Sequence, residues 1–243
     1  MSHERDALCL KLGAYTHIGA EEIELLEKLQ GQRNQVPAGR ELIYEGQRDR
    51  STYVLLEGWV YSCKRLPDGA RQVINVQIAG DFIGLGSRLL RTADQSCVAL
   101  TDIEVSKISI ERLLTVIRAR PRLAQALLWA ASRDAAIVCE HLVCIGRRDA
   151  LARTAHFLLE LGARLMLIGR GTLEEYDCPL SQGIIADTLG VTAIHLNRVL
   201  RQLREANLLV FREGRVSFLN RPRLVELIGY DPAYLDHETA PLT

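Results

Sequence analysis

The sequence predicts an α+β fold, in which a jelly-roll-like antiparallel β-roll is followed by a long helix and a winged helix-turn-helix. Three observations lead to this prediction. Short β-rich runs separated by glycines fill 34–110, an apolar heptad pattern fills 111–146, and two short amphipathic helices precede a hairpin pattern in 180–220. We therefore expect a β-roll domain over 1–110, the long helix over 111–146 and the helix-turn-helix domain over 147–243.

Length and composition describe an ordinary globular chain. The 243 residues suffice for two domains with hydrophobic cores, and hydrophobic and charged residues make up 48% and 25% of the sequence. No apolar run reaches the ~18–20 residues that a membrane helix needs, and no signal-peptide core follows the polar Met1–Arg5. We therefore expect a cytoplasmic protein with no membrane partner. Net charge is zero, so overall charge does not indicate a partner.

The six cysteines do not have the spacing of a metal site. None occurs in a C-x-x-C pair, so neither a zinc site nor an iron–sulfur cluster is predicted. In the cytoplasm we expect them to be reduced and mostly buried. Cys178, which lies just before the helical pair, is the candidate for control by oxidation.

The first part of the chain begins with a predicted short helix over 18–31 and continues in strands. The runs "STYVLLEGWVYSCKRL", "RQVINVQIA" and "IEVSKIS" are rich in β-branched residues, and "PDG" at 67–69 is typical of a hairpin turn. Many short strands at regular spacing favour an antiparallel roll or sandwich.

The helix over 111–146 carries two apolar stripes, and Pro121 is expected in a first turn. One stripe is a strict heptad seam typical of a two-helix coiled coil. We expect the seam to meet a second copy while the other stripe packs on the β-roll; the alternative is that both face one intramolecular core. The seam consists of Ala124, Leu128, Ala131, Ala135, Val138, Leu142 and Ile145, and the second stripe of Leu123, Leu127, Ala130 and Ile137.

A hinge is predicted where residues 146–149 interrupt this pattern and Asp149 can cap the next helix. Further on, the stretch 180–209 has the signals of a helix-turn-helix. Ser181 can cap the first helix, Gly190 supplies the positive φ of a tight turn, and Thr192 can cap the second helix.

The second of these helices, over 192–206, is predicted to enter the major groove of double-stranded DNA. Its apolar and basic positions fall on opposite faces, and Arg198 to Arg223 carries a net charge of +5. Arg198 can pair with guanine and Asn197 with adenine, while basic residues further along meet phosphates. The predicted DNA contacts are Thr192, Ala193, Ile194, His195, Asn197, Arg198, Arg201 and Arg204, and, on the hairpin wing "LLVFREGRVSFLN", Arg212 and Arg215.

Other function classes fit the sequence less well. An enzyme is not predicted, because the sequence lacks a recognisable nucleophile context, a P-loop, a G-x-G-x-x-G after a strand and an H-E-x-x-H motif. The main alternative is a small-molecule or redox-sensing module whose C-terminal helices mediate protein contacts. A protein-docking face would be apolar or mixed, whereas the face of the second helix is basic.

The order of these parts resembles the CRP/FNR family of bacterial transcription regulators over nearly the whole chain. The family resemblance implies a cyclic-nucleotide-binding-like effector domain, a homodimer on a palindromic site with each recognition helix in a successive major groove, and RNA polymerase as a further partner. It is carried by "PAGRELIYEGQ", "YVLLEGWVYSCK", "GDFIGLGSRL", "QSCVALTDIEV", the long dimer helix and "IIADTLGVTAIHLNRVLRQLREANLL".

Several positions differ from the family pattern. Leu85 and Gln95 stand where members that bind cyclic AMP have Glu and Arg, so we predict weak or no binding of cyclic AMP. With Cys9 alone near the N-terminus, the family's iron–sulfur cluster is not expected, and haem would need His17 or Cys63 as a ligand.

Ile194 replaces a Glu that is common at this position of the family's recognition helix, and it can contact a thymine methyl. A pocket in the effector domain would hold an apolar ligand or be filled by its own side chains; its residues are Leu85, Gln95, Ser96 and Val98.

Overall fold

The computed structural model describes residues 6–48, 52–86 and 90–235. The chain divides into two compact units, of which the first takes in 1–64 and 76–134 and the second 65–75 and 135–235. No helix in the described part of the chain is long and apolar enough to cross a membrane.

The first unit is built mainly from antiparallel strands, as predicted. Two four-stranded sheets have the strand orders β1-β8-β3-β6 and β2-β7-β4-β5. Their apolar side chains meet in a core that includes Ile43, Leu55, Val60 and Ile103. The strands are β1 Arg33–Val36, β2 Glu41–Ile43, β3 Thr52–Glu57, β4 Trp59–Arg65, β5 Arg71–Ile78, β6 Phe82–Ile83, β7 Ser96–Ala99 and β8 Ile103–Ile108. The first part of β5, residues 71–75, belongs to the second unit.

Two helices precede the sheets, and one of them was not predicted. The expected helix over 18–31 is α2, Ala20–Leu29, whereas α1, Ala7–Tyr15, is additional. Apolar residues occur all around α1 instead of along one stripe, so its sequence lacks helical periodicity. The predicted turn at 67–69 joins β4 to β5, with Gly69 at φ 85°.

The predicted helix over 111–146 is two helices, α3 Ile110–Ala119 and α4 Pro121–Arg147. Arg120 between them is extended, because a residue before proline disfavours the helical region and proline has no N–H to continue α3. Pro121 begins α4, as expected. The second apolar stripe is buried in full, at Leu123, Leu127, Ala130 and Ile137.

The predicted interruption after the long helix starts later than expected. Helix α4 continues through Gly146 to Arg147, so only Arg148 and Asp149 lie between it and α5, Ala150–Leu167. The Asp149 carboxylate accepts a hydrogen bond of 2.8 Å from the N–H of Ala152, which confirms it as the cap of α5.

The second unit is a winged helix-turn-helix. It combines a small sheet with the order β10-β11-β9, helix α5, residues 135–147 of α4 and further helices. Its remaining elements are β9 Glu175–Asp177, α6 Gln182–Leu189, α7 Ala193–Glu205, β10 Leu209–Arg212, β11 Arg215–Phe218, α8 Arg221–Ile228 and a 3₁₀ turn Pro232–Leu235.

A buried ionic cluster, the Glu160 cluster, joins α4 to α5 inside this unit. The Glu160 carboxylate accepts hydrogen bonds from His141 at 3.1 Å, from Arg164 at 3.3 Å and from the Tyr234 hydroxyl at 2.9 Å. His141 Nδ1 lies 3.2 Å from the carbonyl oxygen of Ile74. Both ring nitrogens of His141 therefore face acceptors, which is the geometry of a protonated imidazolium.

The ionisation of these groups follows from their partners. Burial disfavours the charged form of His141, but the charge and hydrogen bonds of Glu160 outweigh it and raise the pKa of His141 above 6.5. Burial also opposes ionisation of Glu160, but His141, Arg164 and Tyr234 lower its pKa to about 2. Burial lowers the pKa of His156, which stacks on Tyr234, to about 4.

These shifts predict how stability depends on pH. A histidine whose pKa is raised on folding stabilises the protein fully below its unfolded pKa, and this contribution is lost as the pH rises through the folded pKa. As the pH rises above 6.5, the melting temperature of His141→Gln should therefore fall less steeply than that of the unmodified chain. The exposed His195→Gln is the control and should keep the full slope. Equal slopes for all three proteins would show that His141 is not charged in the fold.

Candidate DNA-binding surface

The predicted helix-turn-helix forms at the predicted residues. Ser181 caps α6 by accepting from the N–H of Ile184 at 3.3 Å, and Thr192 caps α7 by accepting from the N–H of His195 at 3.2 Å. Gly190 between them adopts φ 63° and ψ 37°, a left-handed conformation that costs glycine little. The turn therefore sets the direction in which α7 leaves α6.

The orientation of α7 is then fixed by its apolar face. Leu196, Val199, Leu200 and Leu203 are all buried, and full burial of such a side chain contributes roughly 1.5–3 kcal/mol. The helix before it is also held: the Arg71 guanidinium pairs with the Asp187 carboxylate of α6 at 2.6 Å. The opposite face of α7 is left to solvent as a rigid surface.

All predicted contact residues on α7 lie on that exposed face. Arg201 is partly compensated by Glu205, 3.6 Å away and equally exposed. Arg198 and Arg204 make no ion pair with any described residue, so their charges are available to an anionic partner. The exposed residues are Thr192, Ala193, Ile194, His195, Asn197, Arg198, Arg201 and Arg204.

The predicted wing is the hairpin β10–β11, which turns at Glu213 and Gly214 with φ of 50° and 73°. Arg212 is exposed at the end of β10 and lines a groove of about 560 Å³ beside α7. Arg215 is likewise exposed, at the start of β11. Its guanidinium is held 3.0 Å from Asp177 and 3.3 Å from Glu175, so two carboxylates compensate its charge. The wing contacts with phosphate expected of Arg212 and Arg215 remain predictions.

The groove also contains a residue that sequence reasoning missed. Gln182, the first residue of α6, lines it together with Ile194, Asn197 and Arg198. Its side-chain oxygen accepts a hydrogen bond of 2.6 Å from Asn197 Nδ2. The two residues are 15 positions apart, so only the folded turn brings them together.

The residues of the heptad seam are all at least partly exposed along α4. Leu128 and Leu142 are the most exposed, at 69% and 71%, and Val138 follows at 39%. The smaller seam residues lie between them in the helix. Ala135 is exposed, while Ala124, Ala131 and Ile145 are half-buried. The described chain therefore carries an uncovered row of apolar side chains on its longest helix.

The predicted effector-pocket residues are placed in the first unit. Leu85 and Gln95 are half-buried, and Ser96 and Val98 are buried. The Ser96 hydroxyl accepts from the N–H of Glu45 at 3.1 Å. Part of the "GDFIGLGSRL" segment, 87–89, lies outside the described residues, as does the polar stretch 1–5.

The candidate for oxidation control has no support from its surroundings. Cys178 is 1% exposed, and burial raises the pKa of its thiol to about 12. Because oxidants react with exposed thiolates, the prediction of a redox role for Cys178 is not retained. The two candidate haem ligands differ in exposure: Cys63 is buried in β4, and His17 is exposed. In the described part of the chain no three His, Cys, Asp or Glu side chains cluster as a metal site would require.

Two family models match the chain in the order of its domains. Residues 33–120 match the cyclic nucleotide-binding domain, and residues 152–227 match the Crp-like helix-turn-helix domain. The second match spans α6, α7 and the wing, and therefore includes the exposed basic face of α7.

Curated relatives and solved structures agree with these matches. The chain is 31% identical over 212 residues to the nitrogen fixation regulation protein FixK of Bradyrhizobium diazoefficiens, covering 86% of this chain and 87% of that protein. It is 30% identical to the transcriptional activatory protein AadR of Rhodopseudomonas palustris, covering 89% and 87%. The structure of FixK2 from Bradyrhizobium japonicum is similar with a TM-score of 0.72 and 26% identity, over 81% of this chain and 96% of that one.

Proposed function

Because the chain belongs to the CRP/FNR family of helix-turn-helix transcription regulators, we propose that it binds a palindromic promoter site as a homodimer through α7. The observation that carries this proposal is the exposed basic face of α7, which is rigidly mounted and contains at least two uncompensated arginines. An α-helix of this kind fits the major groove, where each base pair presents a distinct pattern of donors and acceptors.

The exposed seam of α4 supports the dimer. Leu128, Val138 and Leu142 would remain in water in a single chain, and pairing with the same helix of a second copy removes this apolar area from solvent. Two copies related by a twofold axis present two α7 helices. On B-form DNA these would meet half-sites centred about 34 Å apart.

RNA polymerase is the further partner that we propose. AadR, with which the chain shares 30% identity, is described as a transcriptional activatory protein, and an activator acts on the enzyme that transcribes its promoter. We also propose that cyclic AMP is not the effector, since Leu85 and Gln95 supply neither the carboxylate nor the guanidinium that a cyclic phosphate and ribose need.

Two arginine variants test the DNA-reading assignment. Arg198→Ala should weaken binding to the specific site by about 1–3 kcal/mol and leave binding to random DNA nearly unchanged, because it removes a contact to a base. Arg212→Ala should weaken both alike and reduce the salt dependence, because it removes a contact to a phosphate. Titrations of both DNAs at several salt concentrations measure these effects. Equal losses for every sequence in Arg198→Ala would contradict base reading by this residue.

A further inference from the structure

The hydrogen bond between Gln182 and Asn197 has a consequence for how the α7 surface reads DNA. Asn197 Nδ2 donates to Gln182 Oε1 at 2.6 Å. Among the described residues it is the one hydrogen bond between side chains that links α6 to α7. Both residues line the groove beside the wing, on the side of α7 that faces solvent.

This bond contributes little to the stability of the helical pair. A solvent-exposed hydrogen bond between neutral side chains adds little net stability, because water satisfies the same groups in the unfolded chain. The pairing of α6 and α7 already rests on the tight turn at Gly190 and on the buried Leu196, Val199 and Leu203. The main effect of the bond is therefore on the direction of the Asn197 side chain.

The donors and acceptor of the asparagine amide determine which base Asn197 can contact from this orientation. The amide has one oxygen and two N–H groups, and Gln182 occupies one of the N–H groups. The oxygen and the second N–H remain for a partner. Adenine offers the matching pair in the major groove, with N6–H as donor and N7 as acceptor.

We propose that Gln182 is a positioning residue that holds the Asn197 amide in the orientation in which it reads adenine. An amide that is already fixed loses less side-chain freedom on binding than one that rotates freely. Gln182 thereby sharpens the base preference at the position that Asn197 contacts. This inference rests on the proposed DNA-binding function.

Selection of binding sites from randomised DNA, performed with the full chain and four variants, tests the inference. Asn197→Ala should lose the adenine preference at one half-site position by about tenfold or more. Gln182→Met, which keeps the side-chain length and removes the acceptor, should reduce the preference at that same position by about three- to tenfold. Gln182→Glu keeps an acceptor and should retain the preference, with weaker binding to all sequences because of its charge. Arg198→Ala should change a different position.

The outcomes separate this inference from the proposed function. If Gln182→Met leaves the Asn197-dependent preference unchanged, or weakens all positions equally as loss of a phosphate contact would, the inference is wrong. The same holds if Asn197→Ala alters no position. If the unmodified chain selects no sequence at all, the proposed function itself fails. Melting temperatures of the Gln182 variants should match that of the unmodified chain, which excludes misfolding as the cause.

Discussion

Replacing Glu160 with glutamine should lower the free energy of unfolding of the second unit by about 3–5 kcal/mol, the usual cost of removing one partner from a buried ion pair. The carboxylate is fully buried and accepts from His141, Arg164 and Tyr234. Its loss removes the carboxylate charge that the His141 imidazolium and the Arg164 guanidinium both contact at a buried position. Denaturant unfolding at about pH 6, where His141 remains protonated, measures the effect.

The chain contains a matched control for this change. Glu205 also pairs with an arginine four positions away on the same helix, but Arg201 and Glu205 are both well exposed to solvent. Glu205→Gln should therefore change the free energy of unfolding by less than about 0.5 kcal/mol. If the two variants were destabilised equally, the cluster around Glu160 would not hold α4 and α5 together as described.

If the chain dimerises through the seam as proposed, the double substitution Leu128→Glu and Leu142→Glu should give monomers and reduce affinity for the proposed palindromic site by about 10²- to 10⁴-fold. The two leucines are the most exposed members of the seam. Four glutamates facing each other across a paired helix would lose the apolar contact and repel. With a single recognition helix, the second half-site would no longer be reached within the same complex.

Leu227→Glu provides the control for this experiment. Leu227 is similarly exposed, at 59%, but lies on α8, outside the seam. Sedimentation and DNA titration should give the same dimer and the same affinity as the unmodified chain. A double variant that remains dimeric and binds DNA normally would show that the seam of α4 is not the dimer interface.

The helix-turn-helix was predictable because its signals are local. Ser181, Gly190 and Thr192 act on their own turns, and the apolar spacing of α7 defines its buried face within thirteen residues. The strands of the first unit were predictable as a class for the same reason, since glycine turns and β-rich runs are visible in short windows. The family models that match residues 33–120 and 152–227 agree with both assignments.

What the sequence did not reveal depends on residues far apart in the chain. Arg215 pairs with two carboxylates that lie 38 and 40 positions away in the chain. Glu160 and Tyr234 are 74 positions apart, and no local pattern marks either as part of a buried cluster. Helix α1 was not predicted because it is apolar on most sides and shows no helical period. The break at Arg120 was not predicted because the apolar pattern continues through it.

Selection of bound fragments from genomic DNA, with the purified chain and no added ligand, tests the whole account most directly. If two copies present their α7 helices as proposed, the enriched sequences will share an inverted repeat. The centres of its half-sites will lie about 10–10.5 base pairs apart, or a whole multiple of that distance. Enrichment of a single half-site without its inverted mate, or of no common sequence, would contradict the account.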